Sequence, residues 1–195
     1  MLRFWKRAAG SLLALVLFAC GQSAPPPEMT DIKGIMPGLS ISMTRANDGK
    51  AVTAKDYRGK IAVLYFGYTH CPDVCPTTLS NLSLALNALG DDAKHVRVLF
   101  VSVDPDRDTL PVLKSYAEAF APEVDGLRGT ANQIADLARR YRIAYSVTPA
   151  SATHAYEVTH SNSIFFFDGE GRARFVTMHS DDQAALLKAF RYLLN

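Results

Sequence analysis

Ile61-Ala62-Val63-Leu64-Tyr65-Phe66-Gly67-Tyr68-Thr69-His70-Cys71-Pro72-Asp73-Val74-Cys75-Pro76-Thr77-Thr78-Leu79 decides the fold. Its first six residues form an unbroken apolar run, the pattern of a strand buried on both faces. The run leads into two cysteines four positions apart, each followed by proline. Beyond Pro76, Leu79, Leu82, Leu86 and Leu89 recur at helical spacing, and Gly90 supplies a C-terminal stop.

Proline biases the residue before it toward extended geometry, so both cysteines are expected outside the helix. Pro76 then fits the first helical position, where a missing N–H costs nothing. Cys75 is expected at the N-cap, with free backbone N–H groups near its sulfur lowering the thiol pKa. The spacing alone admits a plain disulfide or a reactive, metal-binding pair. The strand–loop–helix setting and the flanking prolines favour the second.

Working outward, Leu39–Met43 and Ala51–Thr53 flank Asn47-Asp48-Gly49, a hairpin signal. Val96–Val103 is a second apolar strand, so strand–helix–strand implies a parallel pair with a right-handed crossover. Thr109–Phe120 reads as a helix with Leu113 and Phe120 inward and Pro122 as its stop. Thr130 and Gln133 form a capping box for a helix carrying Ile134, Leu137 and Tyr141. Residues 144 to 160 read as a loop or irregular hairpin. Ser163–Phe167 and Ala173–Met178 are strands around the turn 168–171. Ser180 through Gln183 is expected to cap a last helix bearing Leu187, Phe190 and Leu194.

A β-α-β half followed by a β-β-α half is the thioredoxin plan. The expected fold is therefore α/β and thioredoxin-like: a central mixed sheet flanked by helices, with an N-terminal β-hairpin. Thioredoxins place a cis-proline just before the third core strand, opposite the cysteines. This chain has no proline after Pro149, and His160-Ser161 occupies the corresponding position. Two thiolates and an imidazole suit a soft or borderline ion, and three ligands suit trigonal Cu(I) better than a closed zinc site.

Three stretches resemble the Sco/SenC family, copper-binding thioredoxin-like proteins that help assemble cytochrome c oxidase. They are Tyr68 to Pro76, Val101-Ser102-Val103-Asp104-Pro105-Asp106-Arg107-Asp108-Thr109, and His160-Ser161 ahead of Ile164–Phe167. The resemblance runs from about Ile35 to the C-terminus. It implies Cys71, Cys75 and His160 as ligands of copper, Cu(I) or Cu(II), with delivery to the copper-bearing subunit of the oxidase and an upstream periplasmic copper carrier as donor. Where this family usually has aspartate before the histidine, Thr159 stands here. The alternative is a thiol–disulfide oxidoreductase, with Cys71 and Cys75 as its redox pair, keeping a partner's cysteines reduced. A peroxidase fits less well, because threonine does not stand three residues before either cysteine. His70 adjoins Cys71, and neighbouring residues rarely ligate one ion together. Asp73 lies between the thiols. Asp104, Arg107 and Asp108 follow the second strand, where open α/β sheets place ligand sites; helix capping and charge pairing are their other roles.

The 195 residues are 48% hydrophobic and 21% charged, which suits one globular domain. Residues 1–19 have a basic start and a short apolar core, and read as a secretory signal. Leu17-Phe18-Ala19-Cys20 resembles a bacterial lipoprotein cleavage box, so Cys20 is the expected lipidation site. Residues 20–34 are then expected as lipid anchor and proline-rich tether, and 35–195 as the copper-binding domain, in a periplasmic, membrane-anchored lipoprotein. The formal charge is only +2, and nothing suggests nucleic acid.

Overall fold

The computed structural model describes residues 25–195; the expected signal and Cys20 lie outside them. The elements, in order, are β1 (Thr30–Asp31), β2 (Ser42–Arg45), β3 (Ala51–Thr53), β4 (Ile61–Gly67), α1 (Val74–Asn87), β5 (Val96–Ser102), α2 (Leu110–Glu118), β6 (Val124–Arg128), α3 (Ala131–Arg140), β7 (Tyr145–Thr148), β8 (Glu157–His160), β9 (Ile164–Phe167), β10 (Ala173–Thr177) and α4 (Gln183–Leu194).

Eight strands form one mixed sheet in the order β1-β10-β9-β4-β5-β6-β2-β3. β4, β5 and β6 run parallel at its centre, with Ile61 opposite Val96 and Gly67 opposite Ser102. β9 pairs antiparallel with β4, and β10 with β9. Every residue of β4 is buried, as the apolar run requires. β7 and β8 form a separate antiparallel hairpin.

Side chains alternate across a sheet, so the aromatic contacts assign the layers. Phe166 meets Phe190 of α4 with ring centres 5.8 Å apart, and Phe100, on the same face, meets Tyr116 of α2 at 5.4 Å. Phe165 and Phe167 point the other way, each 5.6 Å from Tyr141 at the end of α3. α1 joins α2 and α4, and α3 covers the opposite face. Gly126 is required where α2 crosses β6, because a Cβ there would stand 2.7 Å from Leu113 Cγ.

The mixed α/β architecture and the N-terminal hairpin match the sequence reading, and both bonds of the Thr130–Gln133 capping box form. Several details differ. The packed chain starts ahead of the expected boundary at residue 35, because β1 pairs with β10 and buries Met29 and Ile32 beside it. β6 was not expected: Asp125 and Gly126 interrupt its apolar pattern, yet parallel pairing with β5 makes it a strand. Asp182, not Ser180, caps α4, accepting from Ala185 N–H at 2.9 Å. Ser180 instead accepts from the Thr78 hydroxyl in the interior. α1 ends at Asn87, and Gly90 (φ +60°) opens a short 3-10 turn rather than capping α1 directly.

Candidate metal centre

The site sits at the C-terminal ends of β4 and β5, where the parallel strands stop and their loops diverge. β4 ends at Gly67, and this position cannot carry a side chain. A Cβ there would lie 2.5 Å from Phe100 Cε2 and 2.8 Å from Cys75 Sγ, so the missing atom is what lets the sulfur pack against the strand end.

The cysteines are placed differently from the sequence expectation. α1 begins at Val74, its N-cap is Asp73, and Cys75 lies inside the first turn, fully buried. Pro76 is therefore the third helical residue, still in the first turn, where an absent N–H is harmless. The N–H of Cys75 reaches Cys71 Sγ at 3.4 Å, so this amide of the helix start serves Cys71. Burial pushes the Cys75 thiol up to about 12, partly opposed by the Tyr68 N–H; the expected lowering does not occur. Desolvation outweighs the helix terminus here. Both cysteines are free thiols.

His160 closes the group from the end of β8. Its Nε2 lies 3.2 Å from Cys75 Sγ, and its Nδ1 lies 3.1 Å from the Ser161 carbonyl. A carbonyl only accepts, so Nδ1 carries the proton and Nε2 turns its lone pair to the sulfur. That carbonyl orients the ring, while Thr159 is exposed and bonds Ser146. Burial lowers the His160 pKa, keeping the ring neutral. Tyr65 and Tyr68 meet the imidazole edge-on, with ring centres at 6.1 and 5.9 Å. Donor atoms of Cys71, Cys75 and His160 all lie within 4.8 Å of one another. Without an ion the group holds a neutral thiol on Cys75 and a neutral imidazole. With a cation it becomes a receptor as the proton leaves.

Other residues singled out by sequence take supporting places. His70 stays outside the group, its Nδ1 beside Thr69 Oγ1 at 3.1 Å and Asp108 at 3.7 Å. Asp73 is exposed and accepts from Thr77. Asp108 does not cap α2. It is fully buried and accepts from Thr69 N–H, the Thr69 hydroxyl and the Ser102 hydroxyl at 3.0, 2.6 and 2.6 Å, tying the cysteine loop to β5. Arg128 holds the same segment from β6 through the carbonyls of Pro105 and Asp108. Asn162 was missed by sequence. It accepts from the Tyr65 hydroxyl at 3.1 Å and lies 3.4 Å from the Thr78 hydroxyl, fixing the chain just after His160. No local pattern marks it, because both partners are remote in sequence.

The sequence model of the SCO1/SenC family matches residues 43–195. The chain belongs to the SCO1/SenC family. Among relatives of this SCO1/SenC chain, the mitochondrial SCO2 homolog of Bos taurus is 37% identical over 155 residues, covering 75% of the chain and 58% of that protein. Mitochondrial SCO2 of Saccharomyces cerevisiae is 36% identical over 156 residues, covering 77% and 51%. The chain thus spans about half the length of the curated relatives it matches. Solved structures are similar throughout: Bradyrhizobium japonicum ScoI with copper bound is 40% identical, TM-score 0.68, covering 80% of this chain and 99% of its own. Yeast Sco1 with copper bound is 31% identical, TM-score 0.70, covering 78% and 84%. Its fold is therefore thioredoxin-like, although no cis peptide occurs among the described residues. Among those residues no helix is long and apolar enough to cross a membrane.

Proposed function

We propose that this SCO1/SenC protein binds one copper ion through Cys71, Cys75 and His160 and delivers it to the copper-bearing subunit of cytochrome c oxidase. The observation that carries the reading is the convergence of two free sulfurs and one oriented imidazole nitrogen at one point. Two soft donors and one borderline donor suit Cu(I), and the same set with a water suits Cu(II). Copper is here the cargo. Cys71 is only half buried, which leaves one sulfur open to an incoming ligand from the acceptor. A periplasmic location, with a lipid on Cys20 as membrane anchor, is supported by the Leu17–Cys20 box; the matched relatives include mitochondrial proteins. Cys20→Ser should then abolish lipid labelling. An upstream periplasmic carrier is the proposed donor of the copper.

The deciding experiment is copper stoichiometry on the reduced protein, with and without His160, followed by oxidase activity under limiting copper. One copper per reduced chain, lost on oxidation of the thiols, supports the carrier. A second reading, thiol–disulfide exchange, draws on the half-exposed Cys71 with Cys75 buried behind it. It predicts that His160→Ala fully restores oxidase activity in a deletion strain, an outcome that would replace copper delivery.

A further inference from the structure

His160 is carried on a hairpin outside the main sheet, packed on the core through Val158, Tyr145 and Val147. β7 and β8 pair only with each other among the described residues. At its base the two legs of the hairpin are closed on each other by Ser161 N–H donating to the Ala144 carbonyl at 2.9 Å. A polar attachment to the core lies four residues before His160. The Tyr156 hydroxyl donates to Asp104 Oδ1 at 2.7 Å, and Arg107 Nε donates to the other oxygen of the same carboxylate. The Arg107 guanidinium also lies over the Tyr156 ring, 3.9 Å from its centre. Asp104 is buried at the end of β5, its N–H held by Ser102 Oγ, so this anchor belongs to the core.

We propose that Tyr156 and Arg107, joined through Asp104, are positioning residues that hold the His160 hairpin over the two sulfurs. The inference rests on reading the three donors as a metal site. A charge-assisted hydrogen bond and a stacked guanidinium act together on one ring, and each is stronger than an ordinary surface contact. The base bond keeps the two legs together, and the Tyr156 contact ties the hairpin to the core and fixes its tilt. A hinge at the base with a releasable latch near the ligand lets the imidazole disengage while both sulfurs stay in place. That is what transfer of an ion to an acceptor requires of its third ligand.

The test uses the reduced protein carrying Tyr156→Phe, Tyr156→Ala or Arg107→Ala, with His160→Ala alongside. Tyr156→Phe removes the hydroxyl bond and keeps the stack, so it guards against loss of folding in the alanine variant. In the metal-free protein, amide exchange at Glu157–His160 should rise on the order of tenfold in Tyr156→Phe and further in Tyr156→Ala. Copper release to a chelator should quicken by a similar factor, and the Cu(II)–thiolate absorption should shift toward that of His160→Ala. Wild-type exchange and spectra in Tyr156→Phe and Arg107→Ala, beside an altered His160→Ala, would overturn the latch alone. Unchanged copper properties in His160→Ala would remove the metal reading, and the latch with it.

Discussion

The two halves of the site are built to different standards. The cysteine loop grows out of the centre of the sheet: Cys75 packs on Gly67, and the preceding Thr69 is held by the fully buried Asp108. The His160 hairpin lies outside the main sheet, with an exposed or half-buried residue at seven of its eight strand positions. The sulfurs are thus held by a loop tied to the central strands, and the imidazole by an arm. An ion carrier gains from this asymmetry, because a rigid pair keeps the cargo while a movable third ligand permits exchange.

Asp108→Ala should break the comparison hardest on the cysteine side. It removes the acceptor of Thr69 N–H, the Thr69 hydroxyl and the Ser102 hydroxyl, costing about 3 kcal/mol in urea unfolding. A wild-type midpoint would mean that the loop does not depend on this carboxylate. Gly67→Ala comes next. The new methyl collides with Phe100 and Cys75 Sγ, so about 2 kcal/mol of stability and much of the copper affinity should go together. Loss of neither would place the strand end farther from the sulfur than described.

On the hairpin side, His160→Ala should cost under about 1 kcal/mol in unfolding while weakening copper binding by at least roughly the 10–100-fold seen when an outer-sphere partner is removed. A large drop in stability would show the arm to be part of the core, and would erase the contrast. A last comparison concerns pH dependence. Burial lowers the His160 pKa below its ordinary 6.5, so the stability linked to its neutral ring is present above that pH and declines as pH falls below it. Cys75 has the opposite window: its contribution is present below pH 9.0 and is lost as pH rises toward about 12. Urea midpoints across pH 5 to 11, compared with His160→Ala, separate the two groups. Proton release by the buried thiol should also make copper affinity rise with pH, by about tenfold per unit for each proton displaced. A flat affinity profile between pH 6 and 8 would contradict the neutral Cys75 thiol.

Much of this was legible in the sequence because it is local. The apolar run 61–66, the leucine spacing after Pro76 and the capping box at Thr130 each act within a few residues, where hydrophobic period and turn chemistry fix the outcome. Two strands with a helix between them, a histidine just ahead of the third core strand and the resemblance to the Sco/SenC family together named Cys71, Cys75 and His160. Tertiary structure decided what depends on residues far apart: Cys75 meets His160 across 85 positions, Thr69 meets Asp108 across 39, and Tyr156 meets Asp104 across 52. It also reversed the expected thiol acidity. The helix terminus near Cys75 is visible in the sequence, whereas the depth at which Gly67 and Phe100 bury its sulfur is not, and desolvation is the stronger influence there.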